Sequence, residues 1–203
     1  MDTNEAIEHL AAIRRIMESA TKLTVLPGKA AIAGGVLALI GSAVSYWLMG
    51  SAGFDAMSRM PPERRMALIL LWAAIALLAI GLDVILTVRL AGRSGRSPWS
   101  RLGQLAAYAM GPAVFIACVL TIAFGMRNTW EPLPAVWMML YGVALWMASI
   151  LSIRAPGVLG LVFILAGVVT LFWAAPIGLI MVALTFGAAH VVLGIYLLRR
   201  FGE

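Results

Sequence analysis

Residues 176–200, PIGLIMVALTFGAAHVVLGIYLLRR, hold more than twenty mostly apolar residues, end in a basic pair and carry one histidine inside the run. About 20 such residues cross a hydrocarbon core roughly 30 Å thick. A single segment in lipid must satisfy its own backbone, which a helix does. The stretch therefore predicts a membrane-spanning helix, and the rest of the chain must supply a partner for His190 or leave it stranded. Five further apolar runs precede it. The spans are expected at about 31–49, 66–87, 105–126, 135–153, 158–173 and 177–198. The expected fold class is all-α: a polytopic membrane bundle of six transmembrane helices preceded by a short N-terminal amphipathic helix.

Composition agrees. The chain is 63% hydrophobic and 12% charged, against roughly 45–50% and about 25% in soluble domains. A net charge of +6 would suggest nucleic acid in a soluble protein. In a membrane protein, Lys and Arg instead orient helices and touch anionic headgroups, so no direct nucleic-acid partner is expected. Cys118 is the one cysteine and lies in an apolar run, which rules out an internal disulfide and a cysteine metal site. The first apolar run begins near Ala30 behind a charged leader and is long enough to span, so no cleavable signal peptide is expected.

The chain divides into a cytoplasmic leader (1–29), a six-helix transmembrane domain (30–200) and a cytoplasmic tail (201–203). In the leader, residues 1–22 have Asp2 or Thr3 to cap a helix, Glu5 in its first turn, and Ile7, Leu10, Ile13 and Met17 on one stripe. Its acids nearly balance Arg14, Arg15 and Lys22, so it is a weaker membrane-surface helix than a strongly basic one. Packing against the ends of the bundle or on a partner suits it equally. Pro27-Gly28 is a turn signal. The first span carries Gly34, Ala38, Gly41 or Ser42, and Ser45, small residues at helical spacing that let another helix approach. Residues 50–65 form an extramembrane loop, and Pro61-Pro62-Glu63 suits a helix start. Residues 89–101 hold four arginines and no acid, a flexible basic loop. The third span is expected to bend at Gly111-Pro112. Residues 127–134 read as a short polar turn, and 154–157 as another. The fifth span, at sixteen residues, is short for the bilayer, and the uncharged 174–176 link makes spans five and six a tight hairpin. No internal repeat is visible, which leaves an inverted-repeat transporter without support.

Orientation follows from Lys and Arg. The leader has four, the loop after span two has four, the turn after span four has one and the tail two, against three, one and none on the other side. The positive excess stays inside, so both termini are expected to be cytoplasmic. Arg14, Arg15, Arg93, Arg96 and Arg101 are the candidate contacts to headgroups or to a cytoplasmic partner.

Two ionisable residues lie within spans. At 1.5 Å per residue, Asp83 falls roughly 10 Å and His190 roughly 5 Å from the midplane, on the same side. A direct or water-bridged Asp83–His190 pair is allowed, and these two form the candidate intramembrane polar site. The plainer alternatives are a His190 bonded to a carbonyl, a Thr or a Tyr across a packed face, and an Asp83 near its helix end reaching interfacial water, Arg89 or Arg154. Ala183, Gly187, His190 and Gly194 share a face, three small residues around one polar one. One His and one Asp are too few ligands for a metal, and no cofactor is implied. Ser42, Ser45, Ser149 and Ser152 lack a nucleophile motif, His9 lies outside the membrane, and GRSGRS lacks the lysine of a phosphate-binding loop. No enzyme activity is expected. Trp47, Trp130 and Trp173 read as interface anchors; Trp72, Trp137 and Trp146 read as packing residues.

The stretches IRRIMESATKLTVLPGKAAIAGG, TVRLAGRSGRSPWSRLGQ, WMMLYGVALWMAS and TFGAAHVVLGIYLLRR resemble an uncharacterised family of small bacterial six-span membrane proteins. The resemblance covers nearly the whole chain; MES-x3-L-x2-LPG and G-x2-H-x3-G are its most specific motifs. Thr24 and Val25 stand where relatives commonly have aromatic residues or Ser. Such proteins are often encoded beside a small winged-helix regulator, which implies a membrane sensor or partner in a regulatory pair. The leading expectation is a non-enzymatic sensor or accessory acting with a cytoplasmic regulatory protein. The alternative is a small transporter or channel using Asp83 and His190 as a polar relay. The small-residue stripes fit internal packing and a homo-oligomer equally well.

Overall fold

Proline and glycine decide where the helices begin. The computed structural model describes residues 27–93, 101–150, 152–173 and 177–201. Its spans are α1 (Gly28–Met49), α2 (Pro62–Arg93), α3 (Arg101–Met126), α4 (Leu133–Ile150), α5 (Arg154–Phe172) and α6 (Ile177–Phe201). Among the described residues these six are long and apolar enough to cross a membrane. The chain is an all-α, multi-pass membrane protein. The expected amphipathic helix at 1–22 lies outside the described residues.

Pro62, Pro134 and Pro156 each stand in the first turn of their helix. There the missing N–H has no partner to lose and the fixed φ suits the helix. This corrects the turn expected at 154–157. Those residues are the first turn of α5, which reaches 19 residues and roughly 28 Å and is no longer short for the bilayer. α3 runs through Pro112 without ending. α2 has 32 residues, roughly 48 Å, well beyond the hydrocarbon thickness.

The far-end loop is ordered rather than a plain linker. Gly50–Arg59 winds as 3-10 helix, broken at Gly53, where φ is +56°. Buried Met57 joins Met49, Leu68, Trp130 and Leu179 in an apolar cap. Trp130, expected as an interface anchor, is only 5% exposed: its ring closes this cap. Beside it Asn128 takes φ +54°, a conformation Asn tolerates. Its side-chain carbonyl accepts from Arg65 and from Trp130 Nε1 (3.1 Å). Its amide donates to Ser58 O (3.0 Å), and its own carbonyl accepts from Ser58 Oγ (3.0 Å). One residue thus ties the loop, the start of α2 and the 127–132 turn together. Asp55 and Arg59 pair one turn apart.

Inside the membrane the core is α1, α4, α5 and α6. α1 lies against α6 and α4 against α5, the two closest pairings. Glycines permit them. A Cβ on Gly28 would sit 2.7 Å from Gly194 O, and one on Gly35 2.7 Å from Gly187 O. A Cβ on Gly142 would sit 2.6 Å from Gly160 O, and one on Gly160 2.6 Å from Gly142 O. Backbones touch where lipid offers no hydrophobic drive and packing must hold the helices. The small-residue stripe of α1 is buried at Gly35, Ala38, Gly41, Ser42 and Ser45. Gly34 lies toward Ala79 of α2, while Gly35 faces α6.

α2 and α3 stand outside this core. α2 packs on α1, α3 packs on α4, and the two scarcely touch each other. Their apolar windows are 6% and 12% buried, against 33% and 39% for α1 and α5. Each flanking helix is fastened by an indole. Trp72 Nε1 donates to Ser45 Oγ (3.0 Å), and Trp137 Nε1 donates to Thr121 Oγ1 (2.9 Å). These two tryptophans are packed, whereas Trp146 is exposed on α4, as Trp47 and Trp173 are on their helices. Trp146 looks outward because its neighbours Leu145 and Ala144 take the buried face.

Gly142→Ala should cost about 1–3 kcal/mol through overpacking against the Gly160 carbonyl and Ile164. Gly81→Ala, with nothing within 4 Å of its added carbon, should be neutral or gain up to about 1 kcal/mol of helix propensity. Thermal unfolding of the two variants in detergent checks both.

Candidate functional site

His190 begins the last α-helical stretch of α6, directly after a π-helical segment at Ala183–Ala189. Widened turns of this kind loosen the regular ladder and are common at functional sites. Here the turn brings the Thr185 carbonyl within 3.1 Å of His190 Nδ1. Thr185 itself is buried and its hydroxyl donates to Met181 O (2.6 Å). Across the bundle, the Tyr141 hydroxyl of α4 lies 3.1 Å from His190 Nε2.

These contacts fix the tautomer of the neutral imidazole. A carbonyl only accepts, so Nδ1 carries the proton and donates to Thr185 O. Nε2 is then the bare nitrogen, and Tyr141 donates to it. Both nitrogens of a neutral histidine are satisfied. The surroundings are aromatic: the rings of Tyr141, Phe163, Phe186 and His190 all lie within 6.2 Å of one another, centroid to centroid. Phe163 is fully buried, and Met138, Leu145 and Leu159 complete the cluster. The glycines of α6 do separate work. Gly187 and Gly194 face α1, while His190 turns to α4 and α5.

Asp83 is not brought to His190. It is exposed on α2, makes no hydrogen bond or ion pair among the described residues, and is ten residues short of the helix end at Arg93. Should His190 gain a proton, Nε2–H would point at the Tyr141 oxygen, and the hydroxyl proton would need a new acceptor. Tyr141 had no marker in its local sequence. Its hydroxyl is identified only by the crossing of α4 and α6.

Of the arginines, Arg93 is exposed in the last turn of α2 and Arg101 opens α3; Arg14, Arg15 and Arg96 lie outside the described residues. The four serines are absorbed locally. Ser42, Ser149 and Ser152 donate to the carbonyls of Ala38, Trp146 and Ile153, and Ser45 accepts from Trp72. Among the described residues no three of His, Cys, Asp and Glu gather as metal ligands would.

No protein-family model, no curated protein and no solved structure matches the chain.

Nitrogen-15 NMR of the imidazole should report Nδ1 protonated and Nε2 bare in the resting protein. Tyr141→Phe removes the donor to Nε2 and should destabilise the fold by about 1–3 kcal/mol, read by thermal unfolding; an unchanged midpoint and tautomer would refute the assignment.

Proposed function

We propose that this protein is a non-enzymatic sensor or accessory of the bacterial cytoplasmic membrane, with both termini inside, acting on a cytoplasmic regulatory protein. The observation that carries the reading is α2. At 32 residues it exceeds the roughly 20 that cross the bilayer, and its surplus at one end bears Arg89 and exposed Arg93 just ahead of the 94–101 segment with Arg96 and Arg101. A helix end and following segment this rich in arginine are suited to an acidic protein surface or to headgroups. The aromatic surroundings of His190 and its two satisfied nitrogens favour a packed bundle over an open path. The resemblance to six-span proteins encoded beside winged-helix regulators points to such a regulator as the partner.

Co-purification of the tagged membrane protein with the regulator encoded beside it tests the reading. The intact chain should retain the regulator. A variant lacking residues 1–20, and an Arg93→Ala/Arg96→Ala/Arg101→Ala variant, should each retain at most about a tenth as much, as a loss of about 1.4 kcal/mol implies. Equal retention by both variants removes the proposal. Reporter fusions at residue 56 and at the C-terminus should fall on opposite sides of the membrane.

A second reading rests on Asp83. An exposed acid within one span and a tyrosine bonded to a histidine within two others are groups that a proton relay would use. It requires that vesicles containing the purified protein pass protons, and that Asp83→Asn and Tyr141→Phe each cut the flux at least about tenfold, the size expected for losing one proton-transfer group. Absence of flux with the unaltered protein would retire it.

A further inference from the structure

The cytoplasmic-end face of α6 carries a feature outside the Tyr141–His190 line. Val192, Ile195, Tyr196, Arg199 and Arg200 recur at helical spacing on one stripe, and together they line a shallow, open groove. The stripe points away from α1, which is packed on Gly194 and Leu197 instead. Val192 is 66% exposed, Ile195 and Tyr196 are exposed too, and both arginines are open. The chemistry changes along the stripe from aliphatic through phenolic to cationic.

Depth gives that order a meaning. Counted from Gly187 at 1.5 Å per residue, Val192 lies roughly 7 Å, Tyr196 roughly 14 Å and Arg199 roughly 18 Å from the middle of the span. Half the hydrocarbon core is roughly 15 Å. Val192 and Ile195 therefore stand beside acyl chains, Tyr196 at the glycerol boundary where tyrosine is favoured, and Arg199 and Arg200 at the level of phosphates. Guanidinium groups match phosphate oxygens in geometry as well as charge. Arg200 is further placed by its own neighbour, its guanidinium carbon 6.0 Å from the Phe201 ring centroid. Among the described residues no acid faces either arginine.

We propose that this groove is a binding site for an anionic phospholipid, with the phosphate held by Arg199 and Arg200 and an acyl chain laid along Ile195 and Val192. The site commits to a lipid, since an apolar wall below the arginines has no use for a free anion. It is independent of the sensor reading and needs only the multi-pass fold.

Native mass spectrometry of the full-length protein, released from micelles with equimolar phosphatidylglycerol and phosphatidylcholine, tests it. The expected result is at least about tenfold preferential retention of phosphatidylglycerol. Arg199→Gln/Arg200→Gln should bring the two lipids close to parity, and Ile195→Trp, which fills the groove without altering charge, should lower retention of both. Arg64→Gln/Arg127→Gln, the same charge loss at the other end, should leave the preference intact. The proposal is overturned if the distant pair lowers the preference as much, if soluble glycerol phosphate displaces the lipid, or if the groove is occupied by a second copy, seen as a lipid-free dimer. Variant melting temperatures within a few degrees of the parent keep these outcomes readable.

Discussion

Backbone-to-backbone contact at glycine holds the membrane core together. The carbonyls of Gly28, Gly142, Gly160, Gly187 and Gly194 each occupy the place where a facing residue would otherwise have a side chain. In water, burying leucines would suffice to join helices. In lipid a leucine gains nothing by leaving its surroundings, so dispersion between close backbones, and the few interhelical hydrogen bonds, must do the joining. Everything else is placed by these contacts. With α1 locked to α6 and α4 to α5, α6 can lay His190 against Tyr141, and the rotation of α6 is settled to within the width of a side chain.

The two flanking helices follow a different rule. α2 presents leucine, isoleucine and alanine around most of its circumference and has no glycine ridge against α1. It is fastened chiefly by Trp72 on Ser45, together with the small Gly41 position, which lies against Ile75 and Trp72. α3 is likewise held through Trp137 and Thr121, over the buried small residues Ala113 and Ala117. Interhelical hydrogen bonds in membranes average about 0.6 kcal/mol, so these attachments are weak beside the glycine seams. The helix that carries Asp83 is thus among the less firmly attached ones, while the helices that carry Tyr141 and His190 are the tightest.

The polar groups of the interior are economical. A neutral His190 has both ring nitrogens satisfied, one by a carbonyl and one by a hydroxyl. The serines return their protons to helix carbonyls or take one from an indole. Thr170 Oγ1 is the exception, buried without a partner among the described residues, and the structure offers no reason for it. At the far end, the conformation of Asn128 and its hydrogen bonds to Ser58, Arg65 and Trp130 replace what a longer loop would need many residues to achieve.

Six apolar runs, the skew of arginine between the two ends and the pair of ionisable residues inside the spans follow from residue order alone, because hydrocarbon thickness and backbone satisfaction leave a chain of this composition little choice. The glycine and small-residue stripes were visible as well, although which helix each stripe meets, α2 at Gly34 and α6 at Gly35, was not. What only the tertiary structure decided was rotation and adjacency. The partner of His190 is Tyr141 rather than Asp83 because α6 contacts α4 and not α2 at that level. Trp130 closes a cap instead of anchoring at an interface because Gly50–Arg59 folds back over it. The π-helical segment that frees the Thr185 carbonyl has no signature in local propensity. Hydrophobic periodicity cannot assign such details in lipid, where all sides of a helix are apolar and neighbours are chosen by fit.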